Sequence, residues 1–131
     1  MRCAFALLLG ALVGLLAFDT ATATSSGELL PSCLEIVNRA RPVSGGDIDI
    51  PPSGLSCWHY MAAIQNASVL EDVRGVRLLG ICAPPETTLI DYIRIFVRYA
   101  RKIKVQEGNA AALAVVALSK AFPCEASGTR K

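Results

Sequence analysis

TLIDYIRIFVRYARKI, residues 88–103, decides the fold. Thr88 precedes an apolar run and Asp91 follows three residues later, the spacing of a capping-box-like helix start. Ile90, Ile93, Phe96, Val97 and Ala100 then recur every three or four residues, which predicts one buried stripe on an amphipathic helix. Arg94, Arg98 and Arg101 fall off that stripe, with Lys102 and Lys104 close by, and form a basic ridge on the same helix.

Downstream, Asn109 can cap a further helix over Ala110 to Phe122, polar only at Ser119 and Lys120. A helix apolar on most sides is expected at the centre of a bundle. Pro123 stops it, Cys124 follows, and residues 125–131 read as a polar tail. Upstream, Pro84-Pro85 ends a segment, 71–87, whose Val73, Val76, Leu78, Leu79 and Ile81 suit either a short helix or a packed loop. A second helix is expected from about Leu55 to Leu70, with Cys57, Tyr60, Met61, Ile64 and Ala67 on its apolar face. Residues 42–54 hold three prolines and three glycines and read as a loop. The first helix shows Leu30, Cys33, Leu34 and Val37, with Pro31 in its first turn and its end at Arg41-Pro42. Residues 24–28 are small and polar and read as a mobile start. The expected fold class is all-α: a small bundle of four to five helices braced by two disulfides.

The chain has 131 residues, room for one domain, and its mean hydropathy is high for a soluble one at +0.45. Much of that excess lies in the uncharged run Cys3 to Phe18, which follows Arg2. Ala21-Thr22-Ala23 supplies the small-x-small pattern of a cleavage site, so residues 1–23 read as a secretory signal peptide and 24–131 as a single helical domain. Of the five cysteines, Cys3 leaves with the leader. Cys33, Cys57, Cys82 and Cys124 remain, an even number in an exported chain. Cys33 and Cys57 flank the first loop. Cys82 precedes the third helix and Cys124 follows the fourth, so antiparallel helices would bring that pair together. The preferred pairing is therefore Cys33 with Cys57 and Cys82 with Cys124. Loop-closure entropy gives about 3.5 and about 4 kcal/mol for these bonds.

The net charge of +2 is too mild to imply nucleic acid or a membrane surface as partner. No C-x-x-C pair is present, and His59, two residues from Cys57, would point about 200° away from it on a helix, which argues against a zinc site. No recognisable nucleophile motif surrounds His59, and the carboxylates are scattered along the sequence. No catalytic residue, metal or cofactor is expected. The candidate contact residues are Arg94, Arg98 and Arg101 on the basic ridge, as a docking surface for an acidic partner. Asp47, Ile48, Asp49 and Ile50 join them from a loop that carries more apolar side chains than a helical core needs.

The cysteine contexts add a resemblance. Cys82-Ala83-Pro84, then Thr88, a helix ending in Val97-Arg98-Tyr99, and a closing Ala117-Leu118 and Ala121-Phe122-Pro123-Cys124 resemble the Rap/Tai-type periplasmic immunity proteins of type VI secretion systems. Leu29-Leu30-x-x-Cys33 and Cys57-Trp58-His59-Tyr60 resemble that family's first two helices. The chain departs from the pattern at Trp58-His59, at Ala63 and in its longer 42–54 loop, so the resemblance does not name a partner. It implies a helical, disulfide-stabilised periplasmic protein, often a homodimer. Its partner would be a cognate secreted cell-wall hydrolase, typically a peptidoglycan amidase, which it binds and blocks. An expectation from another class is a small periplasmic helical chaperone or stress protein with promiscuous clients, though a single histidine gives it no obvious pH switch.

If the four cysteines are paired, the intact mass of the non-reduced protein falls about four hydrogens below that of the reduced form. Free thiols titrated under non-reducing denaturation would contradict the pairing.

Overall fold

The computed structural model describes residues 23–43, 47–103 and 108–124. The expected leader, apart from Ala23, lies outside the described residues, as do Gly45-Gly46, Lys104 and the 125–131 tail. Among the described residues the chain forms α1 (Ser26–Arg39), a hairpin of β1 (Arg41–Pro42) and β2 (Ile48–Asp49), and a 3₁₀ turn at Pro52–Gly54. Helices α2 (Leu55–Ser68), α3 (Leu89–Ile103) and α4 (Ala110–Ala121) follow. None of these helices is long and apolar enough to cross a membrane.

The start of α1 is tied down rather than mobile. Ser25 Oγ accepts from the Glu28 amide at 3.2 Å while the Glu28 carboxylate accepts from the Ser25 amide at 3.0 Å, a complete capping box. The Ser26 amide donates to the Gly108 carbonyl and the Ala110 amide to the Thr24 carbonyl, so this short stretch also pairs with the start of α4. Pro31 consequently lies mid-helix, not in the first turn. The buried face of α1 is Ser26, Leu29, Cys33 and Ile36. Of the expected stripe, Leu30 and Leu34 lie half-buried at the edges and Val37 faces outward. Two apolar stripes were available on this helix, and packing against α2 and α3 selected one.

Helix α2 lacks a side-chain cap of its own, and α1 supplies one. Ser32 Oγ accepts from the Cys57 amide at 3.1 Å and donates to the Ser53 carbonyl at 2.8 Å. The buried Cys33–Cys57 disulfide fastens the same junction. Gly54 is buried there, and a Cβ on it would lie 2.6 Å from Ile36 Cγ1. The second disulfide, Cys82–Cys124, joins the approach to α3 with the end of α4, and the Cys82 amide donates to the Phe122 carbonyl beside it.

Helix α3 begins as its sequence predicts: Thr88 Oγ1 and amide both donate to the Asp91 carboxylate, at 2.6 and 3.1 Å. Its buried side chains are Tyr92, Ile93, Phe96, Val97 and Ala100, with Ile90 only half-buried. Asn109 Oδ1 caps α4 by accepting from the Ala112 amide. Helix α4, however, is not the central one. It packs through Ala110, Ala114, Ala117 and Leu118 and leaves Val116 exposed; it touches all three other helices, but α1 and α2 pack far more extensively on α3 than on it. Alanine makes α4 hydrophobic by composition, but its short side chains let one narrow face do the packing. The fold also differs from all-α at the hairpin, where Arg41 pairs with Asp49 and Pro42 with Ile48 in antiparallel register. Residues 71–87 form no helix; they make a tight loop and an extended run in which Ile81 is buried and bridged to Pro123.

Gly54→Ala should destabilise the fold by roughly 1–3 kcal/mol, because the added methyl overpacks the Ile36 contact. A denaturant titration reads this directly. The double variant Gly54→Ala/Ile36→Val, which removes the Cδ1 that the new methyl would meet at 3.4 Å and leaves a shorter side chain room to shift, should be less impaired than the sum of the two single variants.

A candidate partner-binding surface

The basic ridge is a real feature of the surface. Arg94, Arg98 and Arg101 are all exposed along one flank of α3. Arg94 lies 3.6 Å from the Asp91 carboxylate, and no ion pair joins Arg98 or Arg101 to another described residue. Beside them, Val37 of α1 and Val97 of α3 line an open depression edged by all three arginines. An adjoining depression is lined by Ala40, Pro42, Ile48, Thr88 and Ile90, and Arg94 borders it too. The two stretches singled out in the sequence therefore meet, through Ile48 and Arg94. Asp47 and Asp49 are exposed on the hairpin, while Ile50 turns inward and packs half-buried against the core.

A third region went unread in the sequence. Between α2 and α3, Val69, Leu70, Val73, Val76 and Leu78 are all exposed, and Val73 is fully so. The loop that carries them is closed by its own hydrogen bonds. The Asp72 amide donates to the Val76 carbonyl, the Gly75 amide to the Asp72 carbonyl, and the Leu78 amide to the Leu70 carbonyl, each at 2.9 Å. Asp72 Oδ1 accepts from the amides of Arg74 and Val76, at 2.8 and 3.0 Å. Gly75 takes φ +76°, a left-handed conformation that a residue with a Cβ adopts only at a cost. All four charges are spent locally, in pairs of Arg74 with Asp72 at 2.8 Å and Arg77 with Glu71 at 3.0 Å. The outcome is an ordered knob whose unpaired surface is aliphatic. Its sequence signal was the Asp72-x-x-Gly75 turn flanked by valines, which reads equally well as a packed loop.

Among the described residues no three His, Cys, Asp or Glu side chains gather into a metal-binding group. His59 is exposed on α2, and its neighbour Cys57 is committed to a buried disulfide. What the geometry offers is contact area on a braced helical frame. A family model described as Rap1a immunity proteins matches residues 25–124.

The chain belongs to the Rap1a immunity protein family. The matched segment runs from the Ser25 cap to Cys124 and so includes all four described helices and both disulfides. No curated protein and no solved structure matches the chain significantly. Membership of the Rap1a immunity family gives the protein an immunity role against a secreted effector.

In this Rap1a protein the knob depends on one carboxylate. The Val76 amide, the Arg74 guanidinium and the Arg74 amide hold Asp72 below the usual aspartate range. A depressed carboxylate stabilises the fold above its unfolded pKa, and that support is lost as pH falls through the folded value. The knob should therefore keep its order at neutral pH and loosen only in acid, below the ordinary carboxylate range. Asp72→Ala should remove hydrogen-exchange protection from the Val76 amide at neutral pH while protection in α3 persists. Equal loss in both places would mean that the loop supports the whole fold.

Proposed function

We propose that the chain is exported by cleavage after Ala23 and, in the periplasm, binds and neutralises a secreted cell-wall-degrading effector of the peptidoglycan amidase class. Family membership supports the effector, and the Rap/Tai resemblance supports its chemistry and its compartment. The disulfides fit an oxidising space, and the apolar run before Ala21-Thr22-Ala23 fits export.

The observation that carries the reading is the ordered aliphatic knob, Val69 to Leu78. A soluble domain seldom holds five aliphatic side chains exposed on one short loop without a use for them. A loop already hydrogen-bonded in its final shape loses little conformational freedom on binding, so more of its contact energy appears as affinity. Its self-paired charges also matter. Entering an apolar cleft would leave no lone ion on the knob without a partner. The resemblance further implies a homodimer, for which Tyr99, Ile103, Leu113 and Val116 offer an apolar strip across α3 and α4.

The same exposed aliphatics give the chaperone reading its one foothold. A loop fixed by its own hydrogen bonds favours one matched partner over many, since a promiscuous surface gains from being adaptable.

The test is capture by the tagged protein from periplasmic and secreted fractions of its own host, followed by a cell-wall hydrolysis assay on the captured partner. A single stoichiometric hydrolase, silenced by added protein, is the expected result; a broad set of weak clients would transfer the function to the chaperone reading. Val73→Asp should weaken capture of that hydrolase by about thirty-fold or more, the size of a hot-spot loss near 2 kcal/mol, with an unchanged melting temperature.

A further inference from the structure

The knob leaves the arginine-edged groove without a role. We propose that this groove, between α1 and α3, receives an acidic amphipathic segment of the protein partner, a second contact distinct from the knob. The inference rests on the reading of the chain as an immunity protein.

The groove has a floor and a wall of different chemistry. Its floor, running through the two depressions that share Arg94, is aliphatic: Val37 from α1, Ala40 just after it, Ile48 from the hairpin, and Ile90 and Val97 from α3. Its wall is cationic. Arg94, Arg98 and Arg101 recur at four and three residues along α3, so all three face the same depression. Only Arg94 has a carboxylate near it among the described residues, and that contact is long at 3.6 Å and exposed. An apolar ridge would satisfy the floor alone, and an acidic loop the wall alone. A segment with aliphatic side chains on one face and carboxylates along its edge satisfies both, and arginine's planar fork suits carboxylates in particular.

Length and polarity narrow the occupant further. Ile90 to Arg101 covers eleven residue steps, roughly 16 Å along a helix axis, so a helix laid beside α3 would fill the groove in about three turns. The charge along the groove is uneven. Asp47 and Asp49 stand exposed on the hairpin that edges one end, and Arg98 and Arg101 occupy the other. The occupant's carboxylates therefore belong toward Arg101 and its uncharged, apolar end toward Ile48.

The experiment uses the protein as processed by the expressing cell, labelled with ¹⁵N, and three synthetic amphipathic peptides of about twelve residues. They share one leucine face and differ only in carrying three glutamates, three glutamines or three lysines at one end. The glutamate peptide should shift the amide resonances of Val37, Arg94, Val97 and Arg98. It should also bind at least about ten-fold more tightly than the glutamine peptide, a difference of about 1.4 kcal/mol. Arg98→Glu/Arg101→Glu should abolish that preference, with Arg98→Gln/Arg101→Gln as a milder pair that introduces no repulsion. Asp47→Asn/Asp49→Asn should leave binding unchanged or tighten it. Equal affinity for all three peptides, shifts confined to residues 69–78, or no binding would each overturn the proposal. The two readings fail separately. If the double arginine variant silences the hydrolase as well as the parent does, the groove is wrong and the immunity function stands. If the parent silences no hydrolase, the immunity reading falls whatever the peptides do.

Discussion

The buried face of α3 is the constraint on which the rest of the molecule depends. Ile93 and Phe96 are completely withdrawn from solvent, and Tyr92, Val97 and Ala100 nearly so, while the other three helices pack around them. One helix thus supplies the centre of the hydrophobic core of the described residues. The face is not purely greasy. The Tyr92 hydroxyl lies 3.1 Å from Ser68 Oγ, and Ser68 in turn donates to the Gln65 carbonyl at the end of α2. A buried hydroxyl pair whose needs are met within the core sets the rotation of α3 against α2, because an unpaired one would cost about 1–3 kcal/mol. That rotation in turn decides which way the arginines on the far flank of α3 point.

The two disulfides act on top of this packing rather than in place of it. Cys33–Cys57 lies inside the core beside a hydrogen-bonded junction, where Ser32 already joins α1 to the start of α2. Cys82–Cys124 lies nearer the surface and holds the extended run that follows the knob against the end of α4. Only the second bond stands beside the knob: Cys82 fastens the extended run by which the chain leaves it, whereas Cys57 fastens the far, N-terminal end of α2, about three turns away. The knob's other foot is held by the packing of α2 itself, where Ser68 meets Tyr92. A loop anchored in that way can expose aliphatic side chains without collapsing onto the body of the protein.

Legibility in the sequence followed the strength of local signals. The caps at Thr88-Asp91 and Asn109 were readable because each is a contact between residues three apart, and the structure contains both. The Ser25-x-x-Glu28 box carried the same kind of signal but was read as a mobile start, since the apolar periodicity seemed to begin later, at Leu30. The rotation of α1 was not readable. Leu29, Leu30, Leu34, Ile36 and Val37 allow two stripes, and only tertiary contact chooses between them. The role of α4 was misjudged for a related reason: hydropathy counts alanine as apolar, yet a helix of alanines buries little area and can lie at the edge of a bundle. The hairpin escaped notice because two-residue strands leave almost no pattern. For the surface, the residue types were visible but their assembly was not. Ile48 and Arg94 are 46 positions apart, and only the fold sets them in one depression.

The proposed division of labour between knob and groove follows from what each kind of surface does well. Aliphatic contact is strong but poorly selective, since any sufficiently apolar cleft will accept a valine. Charge is the reverse. A salt bridge at the rim adds little net affinity, but a misplaced carboxylate or lysine can cost a wrong partner several kcal/mol. On the proposed reading the protein must bind one hydrolase tightly and ignore unrelated ones that share the same chemistry. Placing an aliphatic knob before the N-terminus of α3 and a graded run of charge along its length assigns affinity to the first and discrimination to the second. The arrangement also separates their evolution. Exposed arginines and hairpin aspartates can change without touching the core, whereas the knob depends on Asp72, Gly75 and a disulfide-fastened base. On that proposal, recognition could be altered along α3 while the fold and the knob stay in place.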